Sequence, residues 1–113
     1  MSKTTAGLAV IYRWRIHAEK EEDFVAAWTR ISELLYSRRG SLGSRLHRGP
    51  EGIWYSYAQW SSAEARALAF AAPPVDPEAS ALLKSCIAES FPEVVLEPVS
   101  DLLVLPAPDA AKE

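Results

Sequence analysis

The chain has one cysteine, Cys86, and two histidines, His17 and His47, among its 113 residues. A lone cysteine excludes an intramolecular disulfide framework and a cysteine-rich zinc site. Two histidines leave little for a multi-histidine metal centre. No apolar run approaches the ~20 residues that a membrane-spanning helix requires. Basic charge is scarce as well: 12 Lys and Arg stand against 15 Asp and Glu, a formal net charge of −3. That balance argues against a partner bound by broad neutralisation of nucleic-acid phosphates. The opening residues, Met-Ser-Lys-Thr-Thr-Ala-Gly, lack an apolar segment of signal-peptide length, so a cytoplasmic location is the expectation. No phosphate-binding loop, GxGxxG, HExxH or EF-hand pattern occurs. Ser56, Ser61 and Ser85 lack the context of an activated nucleophile.

What the chain does hold is aromatic side chains, with four Trp, four Tyr and three Phe. Their placement follows two periodicities. Leu8 to His17 alternates as a strand, with Val10, Tyr12, Trp14 and Ile16 on one face and Ala9, Ile11, Arg13 and Arg15 on the other. Ile53 to Trp60 alternates likewise, setting Trp54, Ser56, Ala58 and Trp60 against Ile53, Tyr55, Tyr57 and Gln59. A shorter strand, Leu42 to Arg48, precedes it across the turn Gly49-Pro50-Glu51-Gly52. Its parity turns Leu46 toward the helices and His47 and Arg45 away from them.

Three stretches have helical spacing. From Glu21 to about Arg38, Phe24, Trp28, Ile31 and Leu35 form a stripe widened by Ala27 and Leu34. Acidic residues crowd its start, Arg38 and Arg39 its end, and Gly40 suits the position just past the last turn. Ser61-Ser62-Ala63-Glu64 fits a capping box with Ser61 as N-cap, opening an Ala-rich helix to about Ala71. Asp76 and Pro77 open another, whose stripe of Ala79, Leu82, Leu83, Cys86, Ile87 and Phe91 runs to the stop at Pro92. Val94–Glu97 and Leu102–Leu105 read as strand pieces broken by Pro98. The expected organisation is one domain over residues 8–105, with tails 1–7 and 106–113.

The order is β-α-β-β-α-β with the second helix split, which is the ferredoxin-like arrangement of the α+β class. Its antiparallel sheet carries helices on one face only. Ile11, Tyr55 and Tyr57 would then lie on an open sheet face, a poor arrangement for a monomer, and a two-fold homodimer is the expected solution.

Three segments carry a family resemblance: Phe24-x-x-x-Trp28 on the first helix, Gly43-Ser44-Arg45-Leu46-His47-Arg48, and Gln59-Trp60-Ser61-Ser62 closing the third strand. Over about residues 8–105 the chain resembles the antibiotic biosynthesis monooxygenase (ABM) family of the dimeric α+β barrel superfamily. The resemblance implies a dimer whose sheets pack into a barrel, and a pocket in each subunit between sheet and helices. Some members oxidise polycyclic aromatic or quinol substrates with O₂ and no cofactor or metal, some cleave haem, and many have no assigned activity. The strand-three Trp used by active members matches Trp60. Where quinone-forming members have an Asn four residues earlier, this chain has Ser56, which cannot replace an amide. Where haem-degrading members have an iron-ligating His, it has Phe70, and their first-strand Asn corresponds most nearly to Tyr12. Haem degradation is therefore disfavoured.

The candidate catalytic residues are Trp60 and Tyr12, whose indole N–H and hydroxyl are polar handles in an apolar setting. Trp14, Trp54, Ser56, Trp28, Phe70 and Phe24 are the candidate substrate-binding residues. The competing reading makes the same rings plain core, packed with Leu35, Leu82 and Phe91. No metal site and no cofactor are expected. Histidine is the side chain whose ordinary pKa suits a base near neutrality, but the parity of His47 favours a place at the dimer surface. Arg13, Arg15 and Arg45 on the same side suggest either an anion site at the dimer centre or ion pairs across the dimer interface with groups such as Glu97 and Asp101. Cys86, within an apolar stripe, reads as a small core residue. The acidic run Glu19–Asp23 reads as helix-start electrostatics. Two functions follow: a cofactor-independent monooxygenase acting on a small aromatic or quinol-type metabolite, or a non-catalytic ligand-binding or structural dimer of the same fold.

Overall fold

The computed structural model describes residues 6–104. The expected tails lie outside the described residues except for Ala6 and Gly7, and so does Leu105. Strand β1, Leu8–Ile16, pairs antiparallel with β3, Ile53–Trp60, from Leu8 opposite Trp60 to Arg15 opposite Ile53. Each strand alternates side chains, so this register gathers Val10, Tyr12 and Trp14 with Ala58, Ser56 and Trp54 on one face. That face is the buried one: every second residue of β3, from Trp54 to Trp60, is buried. Strand β2, Ser44–Arg48, pairs with the far side of β3, and the sheet order is β2-β3-β1-β4. The ferredoxin-like α+β architecture expected from the sequence is the one observed.

Helix α1, Glu21–Arg39, begins with Glu21, Glu22 and Asp23 and ends with Arg38 and Arg39, a charge order that complements its macrodipole. Gly40 then takes a left-handed conformation at φ 84°, and its N–H caps the Leu35 carbonyl. A residue with a Cβ would be strained there. The stripe buries Phe24, Ala27 and Leu34 fully, while Trp28, Ile31 and Leu35 are half-buried. The helix thus turns its 24/27/34 edge to the sheet. Helix α2, Ala63–Ala71, and helix α3, Pro77–Cys86, cover the same sheet face, and α3 also packs on α1.

Four expectations need correction. The α2 N-cap is Ser62, not Ser61: its Oγ accepts from the Ala65 N–H at 3.0 Å. The strand persists through Trp60, whose carbonyl is held by the Gly7 N–H at 2.9 Å, so the helix starts one residue later. Helix α3 stops at Cys86 instead of running to Phe91. Ile87–Ser90 becomes strand β4, antiparallel to Trp14–Ile16 of β1. The side-chain pattern of Cys86-Ile87…Phe91 suits a helix. The otherwise unpaired edge of β1, however, offers backbone partners that local periodicity does not register. In consequence Phe91 leaves the helix side and lies under the Arg13 and Arg15 guanidinium groups; Leu82, within α3, is exposed, and both were expected in the core. Finally, β5, Val94–Leu96, pairs with Ala9–Ile11 as the second half of the same broken edge, whereas Leu102–Val104 form no strand.

Candidate functional site

The helix-covered face holds two aromatic clusters. In the first, Phe24 is fully buried and meets Trp14 and Trp54 edge-on, with ring centroids 5.4 and 5.6 Å apart. Ile16 and Cys86 complete it, and Leu46 and Leu83 pack against it. The Arg48 guanidinium lies 4.6 Å over the Trp54 ring. Cys86 is an inert core group here, as expected.

The second cluster lies under α2. Trp60 is 1% exposed and packs with Leu8, Val10 and Ala69, and Tyr12 rests against them. Phe70 meets Trp60 edge-on at 5.7 Å and is itself about half exposed. The guanidinium of Arg66 sits over both Tyr12 and Phe70, 5.8 and 5.6 Å from the ring centres. Its Nη2 donates to Tyr12 Oη at 3.0 Å and to the Glu93 carboxylate. Burial pushes the Tyr12 phenol above its usual pKa, although the Arg66 hydrogen bond and charge pull the other way. Tyr12 is therefore a neutral phenol at ordinary pH. For Arg66, burial alone would weaken the charge; the Tyr12 and Glu93 contacts more than offset it and hold the group above its usual pKa.

Two donors in this cluster are left over. Trp60 Nε1 and Arg66 Nε are buried and have no hydrogen-bond partner among the described residues. Buried unpaired N–H groups are rare in native proteins and cost roughly 1–3 kcal/mol each. Trp28 and Ser56 differ in this respect, because Trp28 Nε1 donates to Ser56 Oγ at 3.2 Å. Of the candidate binding residues, then, Trp60, Tyr12 and Phe70 come together under α2. Trp14, Phe24 and Trp54 form the other cluster, with Trp14 stacked on Tyr12 at 5.9 Å as the link. Trp28 and Trp54 also line a groove of about 490 Å³ beside Leu46.

Sequence reasoning missed Arg66 and Glu93. A signal for Arg66 was present: it stands four residues before Phe70 and three before the buried Ala69, so the three share one face of α2. No local signal marks Glu93, which reaches Arg66 from the turn between β4 and β5.

The opposite sheet face carries a cleft of about 740 Å³ whose walls include Ile11, Arg45, His47, Tyr55, Tyr57 and Val104. His47 and Arg45 thus lie where their parity put them, away from the Trp60 cluster. Arg13 and Arg15 are engaged within the chain. Arg13 Nη2 donates to the Pro92 carbonyl at 3.0 Å, and Arg15 pairs with Glu89 at 3.4 Å. Asp101 accepts from the Leu103 N–H at 3.0 Å. Among the described residues no three His, Cys, Asp or Glu side chains come together as a metal-ligand group, and no helix is long and apolar enough to cross a membrane.

A family model for antibiotic biosynthesis monooxygenase matches residues 7–74, from the start of β1 past the end of α2 and so across Tyr12, Trp60, Arg66 and Phe70. The chain belongs to the ABM family. A search of curated proteins finds no match. Solved structures give the fold independently. SnoaB from Streptomyces nogalater, a cofactor-independent oxygenase, superposes with a TM-score of 0.71 at 16% identity, covering 87% of this chain and 98% of that one. A Bordetella bronchiseptica protein described as belonging to the same family gives 0.71 at 21% identity, covering 85% and 100%. Rv0793 from Mycobacterium tuberculosis gives 0.69 at 15% identity, covering 85% and 98%. The ABM match stops before α3, so Glu93, which holds Arg66, comes from the part of the ABM-like fold that the family model leaves out.

Proposed function

We propose that this ABM protein is a cofactor-independent oxygenase acting on a flat, electron-rich phenol or quinol-type aromatic at the α2–sheet site. The observation that carries the reading is the pair of buried, unpartnered donors, Trp60 Nε1 and Arg66 Nε, in one cluster with the neutral Tyr12 hydroxyl. Family membership and the likeness to SnoaB support it. Donors fixed in a dry, low-dielectric setting stabilise an oxygen as it gains negative charge, at no cost of reorganisation. An ionised phenol or its enolate gives one electron to O₂; the substrate radical and superoxide combine at carbon, and the hydroperoxide collapses to a carbonyl. One oxygen atom enters the substrate and the other leaves as water, with the proton given up on ionisation and the hydrogen left on the oxidised carbon. Phe70, half exposed at the edge of Trp60, is the side chain that an entering ring would displace.

The same reading makes the working form a homodimer. Ile11, Tyr55 and Tyr57 are only half-buried on the open sheet face, and a second copy laid over it would shelter them. A second function, ligand binding without turnover, is favoured by one observation: Ser56, where an amide would serve the chemistry, is already occupied by Trp28.

Oxygen uptake with a panel of anthrones and naphthohydroquinones separates the two. Uptake with at least one substrate, slowed in the Trp60→Phe variant, supports the oxygenase. Binding of the same compounds without uptake supports the binder. Light scattering that returns a monomer at micromolar concentration removes the dimer.

A further inference from the structure

The groove beside Leu46 and the cleft of the open sheet face are both lined without Trp60, Tyr12, Arg66 or Phe70. The cleft lies on the face that a second copy would cover, and in the groove Arg48 is already paired with Glu21 at 3.3 Å. The Trp60 cluster is shut beneath α2, and what holds α2 down is mostly polar. Of its nine residues only Ala69 is buried, while Leu68 is 74% exposed and Phe70 53%. Two arginines tie the helix in place. Arg66, on α2 itself, reaches Tyr12 of β1 at 3.0 Å and the Glu93 carboxylate. Arg39, the last residue of α1, donates from Nη1 to the Ala69 carbonyl at 2.9 Å and from Nη2 to the Pro73 carbonyl at 2.8 Å. The sequence explains this second tie. The Ala69 carbonyl would ordinarily accept from the N–H four residues on, but that residue is Pro73, which has none. Pro74 denies Phe70 in the same way. A cation at the negative end of the helix supplies the missing donors, and no carboxylate pairs with Arg39 among the described residues.

We propose that α2 is a lid that opens off the Trp60 site, and that Arg39 is its latch. The inference rests on the function proposed above for what the lid admits; the motion itself rests on the contacts of the helix. When α2 lifts, both arginines exchange protein acceptors for water, and hydrogen bonds of that kind contribute little net stability each. The main cost is the uncovered Trp60 indole, and an aromatic ring laid against it offsets that cost. The hinge is residues 72–75, which form neither helix nor strand and include Pro73 and Pro74, with no N–H to leave unpaired. Beyond the hinge the chain is fixed again, because Asp76 accepts from Arg30 of α1 at 3.1 Å. Arg39 therefore acts on the moving side of the hinge and Arg30 on the fixed side.

Trp60 itself reports the opening. Its Nε1–H has no hydrogen-bond partner among the described residues, so exchange of that proton requires only the access of water and no broken bond. The test is hydrogen exchange by NMR on the full chain, with the Trp60 indole signal identified by its loss in Trp60→Phe. In the wild type that proton is expected to be at least about tenfold less protected than the backbone amides bonded between β1 and β3. The α2 amides should be weakly protected too, since a nine-residue helix off its sheet is only marginally stable. Arg39→Gln should speed exchange of the indole and of α2 by about tenfold or more, the effect of losing two hydrogen bonds from a charged donor, and leave the β1–β3 amides unchanged. Arg39→Lys, which keeps the charge without the fork, should give a smaller rise. An indole proton as protected as the β1–β3 amides overturns the lid, because Trp60 would then be reached only by unfolding. An unchanged rate in Arg39→Gln, or a rise shared equally by β1 and β3, overturns the latch. If Arg39→Gln does not fold, Arg39→Lys decides by the same criteria, and the wild-type measurement needs no variant. Turnover is a separate outcome: opening without oxygen uptake keeps this inference and removes the oxygenase, and uptake with α2 shut does the reverse.

Discussion

Trp54 and Trp60 occupy the same face of the same strand, six residues apart, and the two ends of that strand have been put to different uses. Around Trp54 the rings are interlocked, with a groove only on the Trp28–Leu46 side: Phe24 and Trp14 meet at edge-on angles, α1 and α3 both cover the site, and Arg48 lies over the outer ring. Around Trp60 the cover is one nine-residue helix, α2. One of its rings, Phe70, stands half in water, and two buried donors go unanswered. Close packing with satisfied groups is what a core needs. Unanswered donors under a light cover cost stability, and a group of that kind calls for an explanation. On the function proposed above, the difference separates the half of the sheet that holds the fold from the half that would carry the chemistry.

Several substitutions would break or sharpen that division. The largest effect is expected at the Trp54 end: Phe24→Ala should lower the unfolding free energy in urea by about 3–5 kcal/mol, the usual cost of emptying a fully buried aromatic position. If Phe24→Ala is no more damaging than a surface change, the two ends are not divided as described. Next, Trp60→Phe should cut kcat for any substrate found by about 10²-fold, the loss typical of one oxyanion donor, while shifting the melting temperature by only a few degrees. Trp54→Phe should do the opposite, leaving rate and costing stability. A parallel loss of rate in both variants would erase the contrast.

Ser62→Ala removes the cap of α2 and is expected to cost about 1 kcal/mol. Hydrogen exchange should show the loosening confined to α2, and ligand affinity should fall with it. Arg48→Ala, at an exposed cation–π contact, should cost only about 0.5–1 kcal/mol and leave the Trp60 site untouched. The smallest effect is alkaline. Because burial raises the Tyr12 pKa, the folded state holds that proton more tightly than the unfolded chain. Its contribution is complete below the ordinary tyrosine pKa and is lost as pH rises through the higher folded value. Stability should therefore decline above about pH 10, and Tyr12→Phe should flatten the decline in a pH series of urea melts.

Much of this division is written locally. The alternation in Leu8–Ile16 and Ile53–Trp60 assigns Trp14, Trp54, Ser56 and Trp60 to one face because a strand's side chains must alternate. The charge order of α1, Gly40 at its end, and Asp76 with Pro77 at the start of α3 are equally local, since each answers a neighbouring backbone group. Asp76 also shows this in its acidity. The Ala79 N–H and Arg30 hold its carboxyl below the usual range, so its help to the fold fades as pH drops through that lowered value. The end of α3 was not legible in this way. Cys86, Ile87 and Phe91 satisfy a helical stripe, and only the free edge of β1, some seventy residues earlier in the chain, turns Ile87–Ser90 into a strand.

The sequence by itself determined the order of elements as far as α3, the two faces of the sheet and the family, because these rest on periodicity and on spacing within short segments. Tertiary structure alone decided which rings share a cluster and which donors are left without partners. Tyr12, Arg66 and Glu93 are separated along the chain by 54 and 27 residues. They meet because β1, α2 and the β4–β5 turn converge at one end of the sheet, and no local pattern encodes that meeting. Its physical basis is burial: once α2 closes over the sheet, water no longer reaches Trp60 Nε1 or Arg66 Nε, and what these donors meet is decided by the chain segments that converge there.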